Sequence, residues 1–423
     1  MKRMRMTGLA AFVAAMGLGA AVQAAEGPTE SPAWARGLCE SVEEGVRLLE
    51  GYHLAPEEEA ARAALLEALI RAAEPAVVFL DEAGLTTRTE RLSDQAWYSG
   101  VTLVSTDGLP KVAAVQKDSP AEAAGIQPGE WIEKVGETGI QDGMRLQEVR
   151  DLFASGEAPE LALGLRDEEE KSRTVTVERV RRAESSVADV ENLPADMGYI
   201  RVAGIYPGAA GEIASALEAW QSTDVFGAIL DLRGADGTAE EEVPALAARF
   251  TEEGAVLYTM ADRQGGELVT VRAPAAPVET MPLMVLTDEG TTAAAELLAA
   301  VLGGSVKGAM LIGRETAGDP MIREPLRLSI GRHALLATRQ VRTADGSVYD
   351  GTGGVAPDVA ISDVALGEIL YEPETPVLRR GKTLSDEEKE DKALRDRTRN
   401  DTYLRRATDV LLGLQALGYD RER

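Results

Sequence analysis

Between Ser119 and Ile132 the chain reads Ser-Pro-Ala-Glu-Ala-Ala-Gly-Ile-Gln-Pro-Gly-Glu-Trp-Ile, and few backbones accept that order. Pro120 suits the first turn of a helix, where its missing N–H goes unused. Gly125 lets that helix end in the left-handed conformation. Gly129 permits a turn directly before the run that starts at Trp131. Around this helix-turn-strand lie short β-rich segments, Val101–Val104 and Lys111–Val115, joined by the turn pair Asp107-Gly108. A helix over Leu146–Phe153 and a strand over Thr174–Val177 complete a small β-rich module spanning 95–181.

The rest of the chain keeps a different rhythm. Strands are expected at Gly198–Val202, Ala228–Leu232, Leu283–Leu286 and Ala309–Ile312. Helices are expected between them at Ala209–Trp220, Val243–Phe250 and Ala293–Leu302. Such alternation predicts a mostly parallel sheet covered by helices, over 190–365. The polar, acidic stretch 182–192 reads as a connector. Residues 25–94 read as helical, with Leu65, Leu66, Leu69 and Ile70 at helix spacing and Pro56 followed by Glu57, Glu58 and Glu59 as a helix start. The charged tail, 366–423, reads as helical too. Ser385 and Glu388 are spaced as a capping box, and Leu404, Val410, Leu411 and Leu414 give the last helix an apolar side that can dock. The expected fold class is therefore mixed α/β, in several domains, as 423 residues would suggest.

Lys2, Arg3 and Arg5 precede an apolar stretch, Gly8–Ala21, and Val22-Gln23-Ala24 offers small residues before Ala25. Residues 1–24 read as a signal peptide cleaved before Ala25. The rival, an uncleaved anchor, would need a run of ~20 apolar residues. The chain is then exported, to a periplasm or cell envelope or out of the cell. Its formal charge of −27 leaves no basic face for phosphate, so nucleic acid is not expected as a partner. Cys39 stands alone and allows no intrachain disulfide. With only His53 and His333 besides, no zinc site is expected, and no metal or cofactor.

The Ser119–Ile132 stretch resembles the core motif of bacterial PDZ domains. That resemblance implies that an extended peptide adds as a strand beside the second strand, its carboxylate held by the amides of the preceding loop. The loop here would be Tyr98-Ser99-Gly100, leading into Val101, Thr102 and Leu103, with Leu146, Val149 and Leu152 walling the groove. Related domains often carry Gly-Φ-Gly, where Φ is apolar. Here the second glycine is Thr102, which weakens carboxylate capture by the loop.

With that module placed, the chain resembles the carboxy-terminal processing, or tail-specific, serine peptidases. The resemblance rests on Tyr52–Pro56, Gly198-Tyr199-Ile200-Arg201-Val202, Leu230-Asp231-Leu232-Arg233, Pro282–Leu286, Gly353–Val359 and Asp401–Leu411. The family's chemistry needs a serine activated by a lysine. Its nucleophile lies in Gly-Ser-Ala-Ser-Ala-Ser-Glu, which matches Gly290-Thr291-Thr292-Ala293-Ala294-Ala295-Glu296. Ala293 takes the nucleophile position. Asp319 takes that of the lysine and Arg323 that of its supporting glutamine. Gly234-Ala235-Asp236-Gly237-Thr238 replaces the oxyanion loop Asn-Asn-Pro-Gly-Gly.

The expectation is a pseudopeptidase that binds C-terminal or extended segments of exported proteins, or regulates an active protease. The alternative is a working endopeptidase that cuts near apolar C-termini, using Thr291 or Thr292 with Lys307, the nearest lysine in sequence. Otherwise both threonines are expected to cap the following helix. A third reading is a structural envelope protein that uses the fold for assembly.

Overall fold

The structure is a computed structural model that describes residues 33–361, 386–399 and 401–419, apart from 53, 55, 75–76, 91–96, 107–108, 142–143, 145, 168, 182–184, 222–224, 263–265, 280, 319–321 and 350–352. The expected signal peptide, the Asp107-Gly108 turn, Asp319 and Ser385 lie outside the described residues. The chain divides into two compact units, Met1–Leu66 and Glu67–Arg423. Helix α1 (Ala33–Gly51) belongs to the first, and α2 (Glu58–Ala73) starts in the first and ends in the second. Glu58 and Glu59 open α2 and Arg71 closes it, the arrangement that the helix dipole favours. None of its residues is buried. The stretch expected to be helical throughout also holds a strand, β1 (Val78–Leu80), followed by α3 (Glu82–Glu90).

The β-rich module runs from β2 (Trp97–Tyr98) through β3 (Val101–Thr106), β4 (Leu109–Val115), α4 (Pro120–Ala123), β5 (Trp131–Val135), β6 (Thr138–Gly139), α5 (Leu146–Ala154), β7 (Glu160–Arg166) and β8 (Ser172–Glu178) to β9 (Val180–Arg181). Its sheet has the order β3-β4-β5-β7-β8, all antiparallel, and β2 pairs with β9 where the chain enters and leaves. The Ser119 hydroxyl caps α4 by accepting from the Glu122 amide at 3.2 Å. Gly125 and Gly129 have φ of 74° and 96°, the left-handed backbone expected of them. Arg173 locks the turn between them, donating to both Glu130 oxygens at 2.8 and 2.9 Å and to the Gly125 carbonyl at 2.7 Å. In β7, Leu161, Leu163 and Leu165 alternate inward and are buried.

The larger domain starts earlier than expected. Residues 187–193 form a strand, β10 (Val187–Leu193), and not a connector. It is the outer strand of a sheet, so its polar side chains face solvent while the backbone pairs. Then follow β11 (Met197–Val202), β12 (Gly204–Ile205), α6 (Ala209–Gln221), β13 (Gly227–Asp231), β14 (Asp236–Gly237), α7 (Val243–Ala248), β15 (Val256–Ala261), β16 (Glu267–Arg272), β17 (Leu283–Thr287), α8 (Ala293–Ser305), β18 (Ala309–Gly313), β19 (Ile322–Arg327), β20 (His333–Thr343), β21 (Val348–Tyr349), β22 (Val359–Ala360), α9 (Asp386–Thr398) and α10 (Thr402–Ala416).

The central sheet has the order β10-β11-β13-β17-β18-β22. Only the β10 pairing is antiparallel. Strands β11, β13 and β17 are buried along their whole length, which fits a parallel sheet covered on both faces. Ile200, Leu230 and Val285 point into a core shared with α6, α7 and α8. Tyr199, Ile229, Met284 and Leu286 alternate to the other face, where Leu404 and Leu411 of α10 cover them. The expected docking of the last helix is therefore seen. A second sheet, order β1-β20-β15-β16 with β19 and β21 also on β20, is antiparallel.

Candidate functional site

Strand β3 lies at the outer edge of its sheet, across from α5. Between them runs a cleft of about 80 Å³, lined on one side by Ser99, Gly100, Val101, Thr102 and Leu103, and on the other by Arg150, Phe153 and Ala154. Ala188, Ala203 and Tyr206 of the larger domain also line it. Four of the residues expected in the groove, Gly100 to Leu103, thus line it. Val149 does not: it has no exposed surface and packs in the module's core. The next residue, Arg150, lies ~100° further round the helix and faces the cleft instead. Leu146 packs on the edge of the same core and lies beside Gly290, where an added Cβ would approach its Cδ2 to 3.2 Å.

Gly100 has φ of 86°, and a Cβ there would sit 2.2 Å from the Cβ of Ser119. The loop can approach the module's signature helix only without a side chain. Gly100→Ala is expected to destabilise the module by about 1–3 kcal/mol. Thermal unfolding checks this, and a variant that melts with the parent would show that the contact is dispensable.

The module rests on the loops that follow the parallel strands. A Cβ on Gly234 would lie 2.3 Å from the Leu103 carbonyl oxygen and 3.1 Å from the Val104 Cα. Arg150 Nη1 is 3.6 Å from Asp236 Oδ2, and Tyr206 donates to Asp236 Oδ1 at 2.6 Å. Gly234 thus lies close against β3 at Leu103 and Val104, while Gly100 to Leu103 line the cleft.

After β17 the chain turns through Asp288, Glu289, Gly290, Thr291 and Thr292 into α8. Ala293 opens that helix with φ of 52°, a left-handed backbone that a residue with a Cβ adopts at a cost of roughly 1–2 kcal/mol. Several bonds hold the turn in place. Buried Asp288 accepts from the amides of Gly234 at 2.8 Å and Gly290 at 3.0 Å. Burial raises the Asp288 carboxyl above its ordinary value, and the Gly234 amide offsets this only in part. Thr291 has no exposed surface; its hydroxyl donates to the Leu232 carbonyl at 2.8 Å and accepts from the Asp288 amide at 3.1 Å. The expectation that both threonines cap α8 needs correction. Thr291 braces the turn, and Thr292 occupies the cap position in extended backbone without a capping bond from its side chain.

Glu296, wholly buried, accepts from the Thr316 hydroxyl and from the Gly318 amide at 2.7 Å, tying α8 to the segment that leads to position 319. Arg323, the second residue of β19, pairs with Glu74 at 3.3 Å, both side chains buried, while donating to the Leu335 carbonyl at 3.2 Å. Its guanidinium braces the second sheet against the end of α2. Lys307 is exposed beyond the far end of α8, a helix about 20 Å long, so it stands far from Thr292 at the near end.

One constellation was not expected from the residue pattern. Asp231, at the end of β13, has no exposed surface and accepts from Tyr199 at 2.8 Å, Arg201 Nη1 at 2.6 Å and Arg233 Nη2 at 2.6 Å. Arg233 reaches on to both oxygens of Asp401, at 2.8 and 2.9 Å. Asp401 in turn caps α10 through the Leu404 amide. This network borders a cavity of about 260 Å³ between the module and the central sheet. A charged residue inside the apolar Ile229-Leu230-Asp231-Leu232 run was the available signal, since buried charges are paired.

Residues 196–361 match the model of peptidase family S41, and residues 111–166 match that of the PDZ domain. Among curated proteins, the carboxy-terminal processing protease CtpA of Bacillus subtilis is 27% identical over 293 residues, 68% of this chain and 60% of that protein. The carboxyl-terminal-processing protease of a Synechocystis species is 30% identical over 226 residues, 52% of each. The chain spans about half to three fifths of the length of such relatives. Among solved structures, a photosystem II D1 C-terminal processing protease superposes with a TM-score of 0.51 at 24% identity, over 75% of this chain and 86% of that one. That likeness shows a shared fold.

Proposed function

We propose that this chain, in which a PDZ domain and an S41 domain place it in the carboxy-terminal processing peptidase family, binds peptide segments of exported proteins without cutting them. The observation that carries the reading is Ala293. It opens α8 on a left-handed turn, and its match to the family's motif would put a methyl group where attack on a carbonyl needs a hydroxyl. Around it stand the left-handed turn, the buried Glu296 tie and the altered loop after β13. The Gly234 amide of that loop is already bonded to Asp288. Loss of a nucleophile costs on the order of 10⁶ in turnover, which oxyanion donors do not restore.

The PDZ cleft then becomes the principal functional element. It would hold extended or C-terminal segments in the envelope, either to shelter them or to present them to an active relative. The rival reading, cleavage by an adjacent threonine, rests on Thr292, whose side chain makes no capping bond. Incubation with unfolded proteins that end in apolar residues separates the two. The expected result is binding with no shortening of the substrate. Shortening by the parent that disappears in Thr292→Ala or Thr291→Ala would establish the threonine peptidase instead.

A further inference from the structure

We infer that Arg150 is the anchor for the terminal carboxylate of a peptide in the PDZ cleft, a role that elsewhere falls to loop amides. The inference rests on the peptide-binding reading above. Four observations converge on it. Arg150 lines the cleft opposite Gly100 to Leu103. Its side chain is only 10% exposed, yet Nη1 has no hydrogen-bond partner, and the nearest acid, Asp236 Oδ2, stands 3.6 Å away. Among the described residues, Nη2 makes one long bond, 3.4 Å, to the Leu103 carbonyl. A buried guanidinium so poorly satisfied is costly unless a further acceptor arrives.

The acceptor that fits is a carboxylate, because the cleft between β3 and α5 is the groove in which a PDZ domain holds the end of a peptide. A guanidinium fork matches that group in plane and charge. The usual capture loop is compromised, because Thr102 replaces its second glycine and the Val101 amide is drawn toward Ser99 Oγ at 3.4 Å. A carboxylate on Arg150 would also compete with Asp236, on the loop that follows β13. Peptide binding would thereby loosen the ion pair that links the module to that loop.

The test compares one fluorescent peptide with an apolar last residue as the free acid and as the C-terminal amide, by anisotropy, on the full mature chain. The parent is expected to bind the acid at least about tenfold more tightly than the amide. Arg150→Met, which keeps the stem, should bind both with the affinity of the parent for the amide. Arg150→Lys should retain part of the preference, and Asp236→Asn should leave it intact or enlarge it. Equal binding of acid and amide by the unaltered protein overturns the anchor and leaves peptide binding standing. An undiminished preference in Arg150→Met overturns it as well. Failure of the parent to bind either form overturns both the anchor and the peptide-binding reading.

Discussion

Asp231→Asn is expected to destabilise the larger domain by about 3–5 kcal/mol, the cost of breaking a buried charge pair from one side. Asp231 sits between two largely buried guanidiniums, Arg201 and Arg233. Arg233 would keep Asp401 as a counter-charge, but Arg201 would keep none of those seen here, only the Arg233 carbonyl. In a domain of this size such a loss lowers the melting temperature by about 10 °C. A variant that melts within about 2 °C of the parent would mean that water or relaxation compensates Arg201.

The same network sets a pH dependence. Burial alone would raise the Asp231 carboxyl, but Arg201 and Arg233 outweigh it and hold the group well below the ordinary carboxylate range. Its folded pKa lies below its unfolded one, so its contribution is complete above the unfolded value near ~3.9 and is lost as pH falls below that. The parent should therefore lose stability on acidification more steeply than Asp231→Asn. Asp288, with its carboxyl raised, acts with the opposite sign in both proteins and cancels in the comparison.

The second large effect concerns chemistry that should not appear. Ala293→Ser supplies a hydroxyl at the strained turn and should fold like the parent, because serine and alanine meet the same left-handed penalty at φ of 52°. It should still show no peptidase activity. A serine without a base lacks the partner that makes it a nucleophile, and on the proposed reading Asp319 takes the place of the family's lysine. A nucleophile deficit of roughly 10⁶ corresponds to about 8 kcal/mol of barrier, and one side chain of a dyad does not recover it. Release of a fluorogenic peptide reads the result. Turnover by Ala293→Ser alone would reveal an unrecognised base beside the turn.

The helix-turn-strand of the PDZ domain was legible because Pro120, Gly125 and Gly129 carry backbone demands that other residues do not share. The parallel strands were legible for another reason: burial on both faces makes each a short, continuous apolar run. The second sheet was not. Strand β19 reads Ile-Arg-Glu-Pro-Leu-Arg, with a proline that argues against a central strand. Among the described strands it pairs with β20 alone, at an edge that tolerates Pro325. Strand β10 was passed over because an outer strand has one solvated face and so looks polar. Strand β7 was available from the sequence, since Leu161, Leu163 and Leu165 alternate strictly.

The site divides along similar lines. The proposed loss of the nucleophile at Ala293 is a local reading, made from the match of seven consecutive residues, Gly290 to Glu296. That Val149 turns into the core while Arg150 faces the cleft depends on the helix's rotation against its sheet, which the apolar pattern alone leaves open. The Arg233–Asp401 pair joins residues 168 positions apart. The contact of Gly234 with Leu103 joins two domains. Nothing in either segment announces the other.

The central claim is that the cleft holds peptides beside a centre that cannot cut them. Intact-mass spectrometry of the mature chain incubated with an equimolar peptide ending in apolar residues tests it most directly. The account predicts one unchanged peptide mass and one unchanged protein mass after prolonged incubation, with the peptide retained on the protein under native conditions. Shortened peptide, or a protein mass increased by an acyl fragment, would contradict it.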